Sequence, residues 1–255
     1  MTTDPSERKA RRRLDQALVE NGYFQTRAQA QAAIKAGQVH LAGAPMLKPA
    51  ATVLSDAVIE VHGAAHDYVS RGGLKLAHAL THFGLSPEGR EAVDLGASTG
   101  GFTDVLLRHG AAHCLAVDVG QEQLVADLRD HPKVTVLEKT NARHLTRAAL
   151  PDGYRPMVIV CDVSFISLKL ALPPMLALAA PACWLVALVK PQFEVGKKRL
   201  GKGGVVRDAA LHDAVCADMQ DWLAGQSGWQ VLGLTDSPVL GPSGNREFLL
   251  AAVKS

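Results

Sequence analysis

The sequence predicts an α/β protein with a doubly wound, mostly parallel sheet and a small α+β domain at its amino end. Three observations support this fold class. From residue 91 onward, short apolar runs alternate with helix-like segments, as in sheets that carry helices on both faces. A glycine-rich turn, "DLGASTGGF", leads from the first apolar run into a helix. The last two runs, "QVLGLTDSPV" and "EFLLAAVK", have no long helix between them, which favours a final strand inserted antiparallel.

Positive charge is concentrated at the amino end of the chain. Residues 1–50 hold 8 Lys and Arg against 4 Asp and Glu, whereas the remaining residues hold 19 against 21. A basic end on a near-neutral body favours binding to a polyanion, although a solvated N-terminus would have the same composition. No apolar segment of the secretory type follows the charged N-terminus, so we expect a cytoplasmic protein.

Residues 1–62 are expected to form the small domain. Leu14, Ala17 and Leu18 recur at helical spacing within residues 12–24, and "RAQAQAAIKAG" predicts a second helix. Two β-like segments follow, "QVHLAG" and "AVIEVHG", separated by the turn-prone "GAPMLKPA". The sequence therefore predicts two helices packed on short strands.

Three short motifs mark this unit, namely Arg13-Leu14-Asp15, Thr26-Arg27 with Ala28, and Gly37-x-Val39. Together they resemble an S4 RNA-binding domain, although Ala42-Gly43 stands where that family usually has Asn-Gly. The resemblance implies RNA binding through shape and charge. Basic residues able to share one exposed face and contact phosphates are Arg12, Arg27 and Lys35. The alternative is a helical pair whose basic side chains are only solvated.

Residues 63–72 are expected to form a linker, and residues 73–255 the larger domain. The segment "GGLKLAHALTHFG" predicts a short amphipathic helix that precedes the first strand. Strands are predicted, in order, at "EAVDLG", "HCLAVDVG", "KVTVLEKT", "MVIVCDV" and "CWLVALVK", before the final pair. The helices between them are predicted from Gly101, from about Gln121, and over about 145–150, 167–179 and 211–226.

The uncharged stretch Leu170–Val189 is as long as a membrane span but contains three prolines. Prolines would interrupt the hydrogen-bond ladder of a spanning helix, so a buried helix, a turn at Pro181 and a buried strand are the simpler interpretation. The four cysteines lack metal-site spacing and are interpreted as reduced core residues, and no metal is expected.

The glycine-rich turn is suited to hold a nucleotide-like ligand. Glycines let the backbone approach a ligand closely, and the following helix N-terminus favours negative charge. Asp118, at the end of the next strand, can accept hydrogen bonds from ribose hydroxyls. Ser98 stands where the dinucleotide fingerprint has glycine, and the carboxylate of Asp94 would attract the ammonium group of a methionine moiety. The turn thus favours S-adenosylmethionine over a dinucleotide, with a tight turn without ligand as the third alternative.

Four ionisable residues are predicted at one edge of the sheet, where ligands bind in open α/β folds. Asp162 and Lys190 directly follow apolar strands, and Glu247 begins the final, antiparallel one. Lys75 lies in the helix before the first strand and is expected to fold over the same edge. Taken singly, each residue has an ordinary structural explanation. Charges that abut buried strands are nevertheless costly unless they are paired or used.

The motifs "YVSRGGLKL", "DLGASTGGFTD", "CDVSFISL", "LVKPQFEVG" and "GNREFLL" resemble the TlyA family, also called haemolysin A. Members join an S4 domain to an FtsJ-like, Rossmann-like, S-adenosylmethionine-dependent methyltransferase domain. The resemblance implies an enzyme that methylates the 2′-hydroxyl of cytidines in ribosomal RNA, with ribosomal subunits as partners. The alternatives are a membrane-active haemolysin-like protein, a binding module without chemistry, and a dinucleotide enzyme.

In that family the residues Lys75, Asp162, Lys190 and Glu247 match a catalytic tetrad. We expect Lys190 to take the hydroxyl proton, Asp162 to orient it, and Glu247 to pair with Lys75. The residues expected at the cofactor are Asp94, Gly96, Ser98, Gly100, Gly101, Phe102, Thr103, Asp118 and Asn141. A glycine-rich basic loop with Lys197, Lys198 and Arg199 is expected to grip RNA, or else to be a solvated loop.

Overall fold

The computed structural model of the chain describes residues 11–21, 23–24, 27–35, 37–41, 43–54, 57, 59–61, 68–196, 199–201, 204–241 and 244–255. Two compact units make up the chain. The amino-terminal unit comprises residues 1–67 and 239–244, and the carboxy-terminal unit comprises residues 68–238 and 245–255.

The amino-terminal unit packs two helices against short strands. Its helices are α1 (Leu14–Glu20) and α2 (Arg27–Lys35), and its strands are β1 (Arg11–Arg13), β2 (Val39–Leu41), β3 (Ala44–Pro45), β4 (Thr52–Leu54) and β5 (Ile59–Val61). β1 pairs antiparallel with β4, and β2 lies between β3 and β5. The apolar positions at helical spacing, Leu14, Ala17 and Leu18, are buried in the core of this unit, as their periodicity predicts.

The first helix begins later than the sequence pattern predicts. Residues 12 and 13 belong to β1 because the chain is held in a strand before α1 starts: the amides of Leu14 and Asp15 donate to the carbonyls of Ala51 and Pro49. Thr26, of the Thr26-Arg27 motif, lies outside the described residues.

The carboxy-terminal unit alternates strands and helices. Its strands are β6 (Glu91–Leu95), β7 (His113–Val117), β8 (Val134–Leu137), β9 (Val158–Cys161), β10 (Trp184–Val189), β11 (Trp229–Asp236) and β12 (Phe248–Lys254). Its helices are α3 (Gly72–Phe83), α4 (Gly101–Arg108), α5 (Ala126–Arg129), α6 (Leu168–Ala171), α7 (Pro173–Leu178), α8 (Pro191–Glu194) and α9 (Ala209–Ala224).

The seven strands of this unit form one sheet in the order β11-β12-β10-β9-β6-β7-β8. β10, β9, β6, β7 and β8 are parallel neighbours, whereas β12 runs antiparallel between β10 and β11. Separate hydrophobic clusters cover the sheet, one with α3 and α4 and the other with α6, α7 and α9. The predicted doubly wound sheet with an inserted antiparallel strand is therefore confirmed.

Two predicted helices are shorter or different in kind. The helix expected from about Gln121 is reduced to α5, because the carboxylate of Glu138 takes the backbone amides of Glu122 and Gln123. Between β8 and β9 the expected α-helix is replaced by two 3-10 turns, Ala142–His144 and Arg147–Ala149. Single-turn helices of this kind depend on tertiary contacts rather than on their own propensity.

The uncharged stretch 170–189 folds as a broken helix and a strand. α6 stops at Ala171 and α7 starts at Pro173, with prolines at its first two positions, where a missing amide hydrogen costs nothing. All six residues of β10 are buried, as expected for a strand covered on both faces. Within the described part of the chain, no helix has the length and apolar character needed to cross a membrane. All four cysteines are free and buried.

Candidate active site

The carboxyl ends of β9 and β10 and the start of β12 meet at one edge of the sheet. Val189 of β10 pairs with Phe248 of β12, so Lys190 and Glu247 continue two adjacent strands by one residue each. Asp162 follows β9, and its amide donates to the carbonyl of Leu95 at the end of β6. Three of the four ionisable residues singled out in the sequence thus lie at neighbouring strand ends.

The fourth residue, Lys75, reaches this edge from α3, which packs against β12. Its Nζ donates to Glu247 Oε2 at 2.6 Å, and both side chains are buried. Lys190 Nζ lies 2.6 Å from Asp162 Oδ1, again with the lysine buried. The structure therefore brings the four residues together as two ion pairs on adjoining strands.

The two ion pairs are not fully satisfied. Glu247 Oε1 is buried and has no hydrogen-bond partner among the described residues. Asp162 Oδ1 contacts Lys190 outside hydrogen-bond geometry, whereas Ser164 Oγ accepts a hydrogen bond from Lys190 Nζ at 3.1 Å. Buried polar atoms without partners are rare in folded proteins and cost free energy. Such atoms at a sheet edge are available to a ligand.

The glycine-rich turn between β6 and α4 is packed tightly against the protein itself. Gly96 and Gly100 have φ of 86° and 103°, values that favour glycine. A Cβ on Gly96 would lie 2.8 Å from the carbonyl oxygen of Asp162, and one on Gly100 would collide with the side chain of Leu128. Gly101 likewise packs against Ser70. The turn therefore lies directly beside the strand end that carries Asp162.

Asp94 is fully buried below this turn. Thr103 donates a 2.7 Å hydrogen bond to its Oδ2, while Oδ1 has no hydrogen-bond partner in the described chain. Burial raises the pKa of Asp94 to about 7 against the hydrogen bond from Thr103, and the negative charges of Asp162 and Asp118 add to the rise. A cation that reached Oδ1 would favour the ionised carboxylate.

Asp118 holds the loop that follows β7. Its Oδ2 accepts from the amide of Ser98 at 2.8 Å and its Oδ1 from the amide of Gly120 at 2.7 Å. The glycine-rich turn and the loop after β7 are thus tied to one carboxylate, which retains lone pairs for further donors. Ser98 itself adopts a φ of 47°, which lies in the left-handed region that favours glycine. The dinucleotide fingerprint has a glycine at this position.

The remaining residues expected at the cofactor have mixed surroundings. Phe102 is part of the apolar core, and the hydroxyl of Thr103 is committed to Asp94, so these two residues can offer a ligand only their backbone. Asn141 Oδ1 accepts from the amide of Arg143 at 3.1 Å and so caps a 3-10 turn.

Two of the basic residues expected to contact RNA are engaged in ion pairs. Arg12 pairs with Glu20, and Arg27 Nη2 lies 2.9 Å from the buried Asp15. Lys35 is exposed at the end of α2. In the basic loop of the carboxy-terminal unit, Arg199 is exposed, whereas Lys197 and Lys198 lie outside the described residues.

Three further residues, which the sequence did not mark as site residues, take part in these contacts. Arg13 forms a two-pronged contact with Asp15, with 3.0 Å from both Nε and Nη2, and the Arg13-Leu14-Asp15 motif was the available indication. Ser164 bonds to Lys190, and Phe165 beside it is 91% exposed with a φ of 64°. The Phe165 ring contacts Phe193, with 5.2 Å between centroids. An exposed, strained aromatic residue beside buried charges is typical of a functional site.

Comparison with known proteins gives matches over nearly the whole chain. The family model for FtsJ-like methyltransferases matches residues 68–254, and the S4 domain model matches residues 12–59. The 16S/23S rRNA (cytidine-2′-O)-methyltransferase TlyA of Mycobacterium tuberculosis is 47% identical over 94% of this chain and 89% of its own.

Solved structures agree with these matches. A candidate hemolysin from Streptococcus thermophilus is 40% identical, covers 97% of this chain and 90% of its own, and has a TM-score of 0.74. The O-methyltransferase TomG of Streptomyces achromogenes, solved with S-adenosylmethionine, is 17% identical over 73% of this chain and 82% of its own, with a TM-score of 0.51. At that identity the similarity shows the fold alone.

Proposed function

Because the chain belongs to the TlyA family of FtsJ-like methyltransferases and carries an S4 domain, we propose that it methylates ribosomal RNA at a ribose 2′-hydroxyl. Cytidine is the nucleoside, and the amino-terminal unit binds the RNA. The proposal keeps the domain division of the sequence analysis, with residues 1–62 and 73–255 joined by a linker at 63–72. It also includes a cytoplasmic location, where ribosomes are present.

One observation carries the proposal: two lysine–carboxylate pairs lie side by side at the sheet edge where open α/β folds bind ligands. A 2′-hydroxyl is a weak nucleophile, so methyl transfer to its oxygen needs a group that takes its proton. Among the four residues, Lys190 is the one also bonded to an exposed side chain, Ser164. We therefore assign the proton-accepting role to Lys190.

The residues present fit S-adenosylmethionine as methyl donor. Asp94 offers a buried, unpartnered carboxylate oxygen to the ammonium group of the methionine part, and Asp118 offers acceptors to ribose hydroxyls. When bound, the donor would supply a methyl group carried on a positively charged sulfur. The sulfur would leave as part of a neutral thioether.

After Lys190 has released its own proton to solvent, its free amine takes the proton of the 2′-hydroxyl as the oxygen–carbon bond forms, and Asp162 stabilises the ammonium group that results. Glu247 neutralises Lys75 and so fixes the charge balance beside the reacting groups. Most of the rate enhancement comes from alignment of hydroxyl, methyl and sulfur, which is worth on the order of 7 kcal/mol or more.

The exposed Phe165 fits the base of the target nucleotide. Nucleotides that are modified by enzymes are often unstacked from their neighbours, and aromatic side chains then replace the lost stacking. Phe165 is held in its strained conformation beside Ser164 and against Phe193. Because Phe165 directly follows Ser164, the serine that bonds to Lys190, we expect a base stacked on Phe165 to lie near this lysine.

A membrane-active protein of the haemolysin type is the second candidate, because a similar solved protein carries that name. It would need a segment able to enter a bilayer, and the apolar stretch 170–189 is instead used as buried helix and strand. Leakage of dye from liposomes by the purified protein, retained by Lys190→Ala, would favour this candidate.

Transfer of labelled methyl groups from S-adenosylmethionine to purified ribosomal subunits tests the proposed function. We expect label on ribose, mapped to cytidine by digestion of the RNA. Lys190→Ala should lower the rate by about 10²–10⁴ while binding of S-adenosylmethionine is kept. The matched control is Lys169→Ala, which removes a surface ion pair with Asp218. Label on a base or on protein alone would contradict the proposal.

A further inference from the structure

The amine of Lys190 is held by two neighbours of different kinds. Asp162 Oδ1 lies 2.6 Å from Nζ but outside hydrogen-bond geometry, so this contact supplies charge. Ser164 Oγ accepts the hydrogen bond from Nζ, at 3.1 Å. Coulomb attraction depends on distance, whereas a hydrogen bond also depends on angle. Within the described residues, Ser164 is therefore the group that sets the rotation of the amine about its bond to Cε.

The loop that carries Ser164 is fixed at both ends. Its preceding strand, β9, is fully buried, and its far end is tied to Glu194, which accepts hydrogen bonds from Ser167 Oγ and the amide of Leu168. The middle of the loop holds Phe165 with a φ of 64° against Phe193. Strained backbone persists only where its surroundings hold it in place. Ser164, although exposed, thus has a defined position.

We propose that Ser164 is a positioning residue that turns the Lys190 amine toward the 2′-hydroxyl of the target ribose. The inference rests on the proposed function and adds a residue outside the four ionisable ones. To accept the hydroxyl proton, the Lys190 ammonium must first release one proton, which leaves two N–H groups and one lone pair on the nitrogen. With one N–H bonded to Ser164, rotation of the amine is restricted, and the lone pair keeps one direction for the hydroxyl proton. Misalignment of a catalytic group lowers the rate without weakening binding.

Methyl transfer by the full-length chain, with ribosomal subunits and S-adenosylmethionine, tests this role. We expect Ser164→Ala to lower kcat by about tenfold to a hundredfold, with unchanged KM for both substrates and unchanged calorimetric affinity for S-adenosylmethionine. Ser164→Thr keeps the hydroxyl at an exposed position and should restore kcat. Ser86→Ala is the matched control, because Ser86 is an exposed serine whose hydroxyl accepts from the nearby amide of Glu88.

The possible results separate the two proposals. A wild-type enzyme that methylates ribose, together with an unaffected Ser164→Ala, overturns the role of Ser164 and leaves the proposed function standing. The same holds if KM rises while kcat is unchanged, or if Ser164→Thr is as impaired as Ser164→Ala. A wild-type protein that places no label on ribose overturns both.

Discussion

Each unit of the molecule buries one aspartate completely, and the two aspartates have opposite surroundings. In the amino-terminal unit, Asp15 accepts from two arginines, Arg13 and Arg27, and from Gln31 at 2.8 Å. In the carboxy-terminal unit, Asp94 accepts from Thr103, and its Oδ1 has no hydrogen-bond partner in the described chain.

The pKa values follow from this difference. Hydrogen bonds from Arg13 and Arg27 hold the pKa of Asp15 well below its usual range despite its burial, whereas burial raises the pKa of Asp94. A satisfied carboxylate builds structure, here by fixing two arginines at a surface. A carboxylate left short of partners costs stability and keeps its capacity for a ligand. Glu247, whose buried Oε1 has no hydrogen-bond partner among the described residues, belongs to the second kind.

The largest expected effect concerns Glu247. Glu247→Ala leaves Lys75 charged and buried without its partner, so we expect a loss of about 3–5 kcal/mol in the free energy of unfolding, measured with denaturant. The paired replacement Lys75→Met with Glu247→Leu should regain that stability, because an apolar pair avoids desolvation of the two charges. It should still lack methyl transfer. A stable and active double variant would show that the pair is only structural.

A smaller loss is expected at Asp15. Asp15→Asn removes charge-assisted hydrogen bonds from both arginines, and we expect the amino-terminal unit to lose roughly 2–3 kcal/mol of unfolding free energy. Because the folded pKa of Asp15 is lowered, its contribution is present above about pH 4 and is lost as the pH falls. Glu20→Gln, which frees the half-exposed Arg12, is the control and should cost under about 1 kcal/mol. Equal losses of unfolding free energy for Asp15→Asn and Glu20→Gln would contradict the expected difference between the buried and the half-exposed carboxylate.

The smallest effect is a pH dependence at Asp94. A carboxylate with a pKa of about 7 is mostly protonated at pH 6 and mostly ionised at pH 8. Since an ammonium group prefers the ionised form, affinity for S-adenosylmethionine should rise by about tenfold between these values. Asp94→Asn should lose this rise, and titration of the ligand itself affects both proteins equally. Calorimetry of the two proteins across this range is the measurement, and parallel pH profiles would contradict the assignment.

The raised pKa of Asp94 has the opposite effect on the stability of the ligand-free fold, whose free energy of unfolding falls as the pH rises. Because the folded pKa of Asp94 is raised, the folded chain keeps its proton between about pH 4 and pH 7 while the unfolded chain has lost it. The contribution of Asp94 to the free energy of unfolding therefore falls as the pH rises through that window. Asp15 and Asp94 thus respond to pH in opposite directions.

The sheet and the position of its charged edge could be predicted because both depend on chain-local patterns. Asp162 and Lys190 directly follow apolar runs, and Glu247 directly precedes one, so strand direction alone places them at one edge. In the same way, the alternation of strands and helices predicted a sheet with helices on both faces. These inferences need only the rule that parallel strands end at the same side of a sheet.

Other parts could not be predicted because they depend on contacts between distant residues. The partners of Ser164 and Asp15 come from side-chain directions that no spacing reveals, and the exposure of Phe165 follows from a strained loop. The helix expected near Gln121 is displaced by the carboxylate of Glu138, which comes from another strand end. The glycine-rich turn did not identify its ligand from sequence alone. Its glycines are also required because a side chain at Gly96 or Gly100 would collide with Asp162 or Leu128.

The inserted strand β12 has a consequence for the order of assembly. Among the described strands, β11 pairs with β12 alone, and β12 joins it to β10, whose residues lie some sixty positions earlier in the chain. Contacts over such separations close large loops, and closing a large loop costs chain entropy. During synthesis, strands β6 to β10 emerge before the ladder between β10, β12 and β11 can form. A partly folded chain in which β12 has not yet joined the sheet therefore lacks the carboxylate that neutralises Lys75.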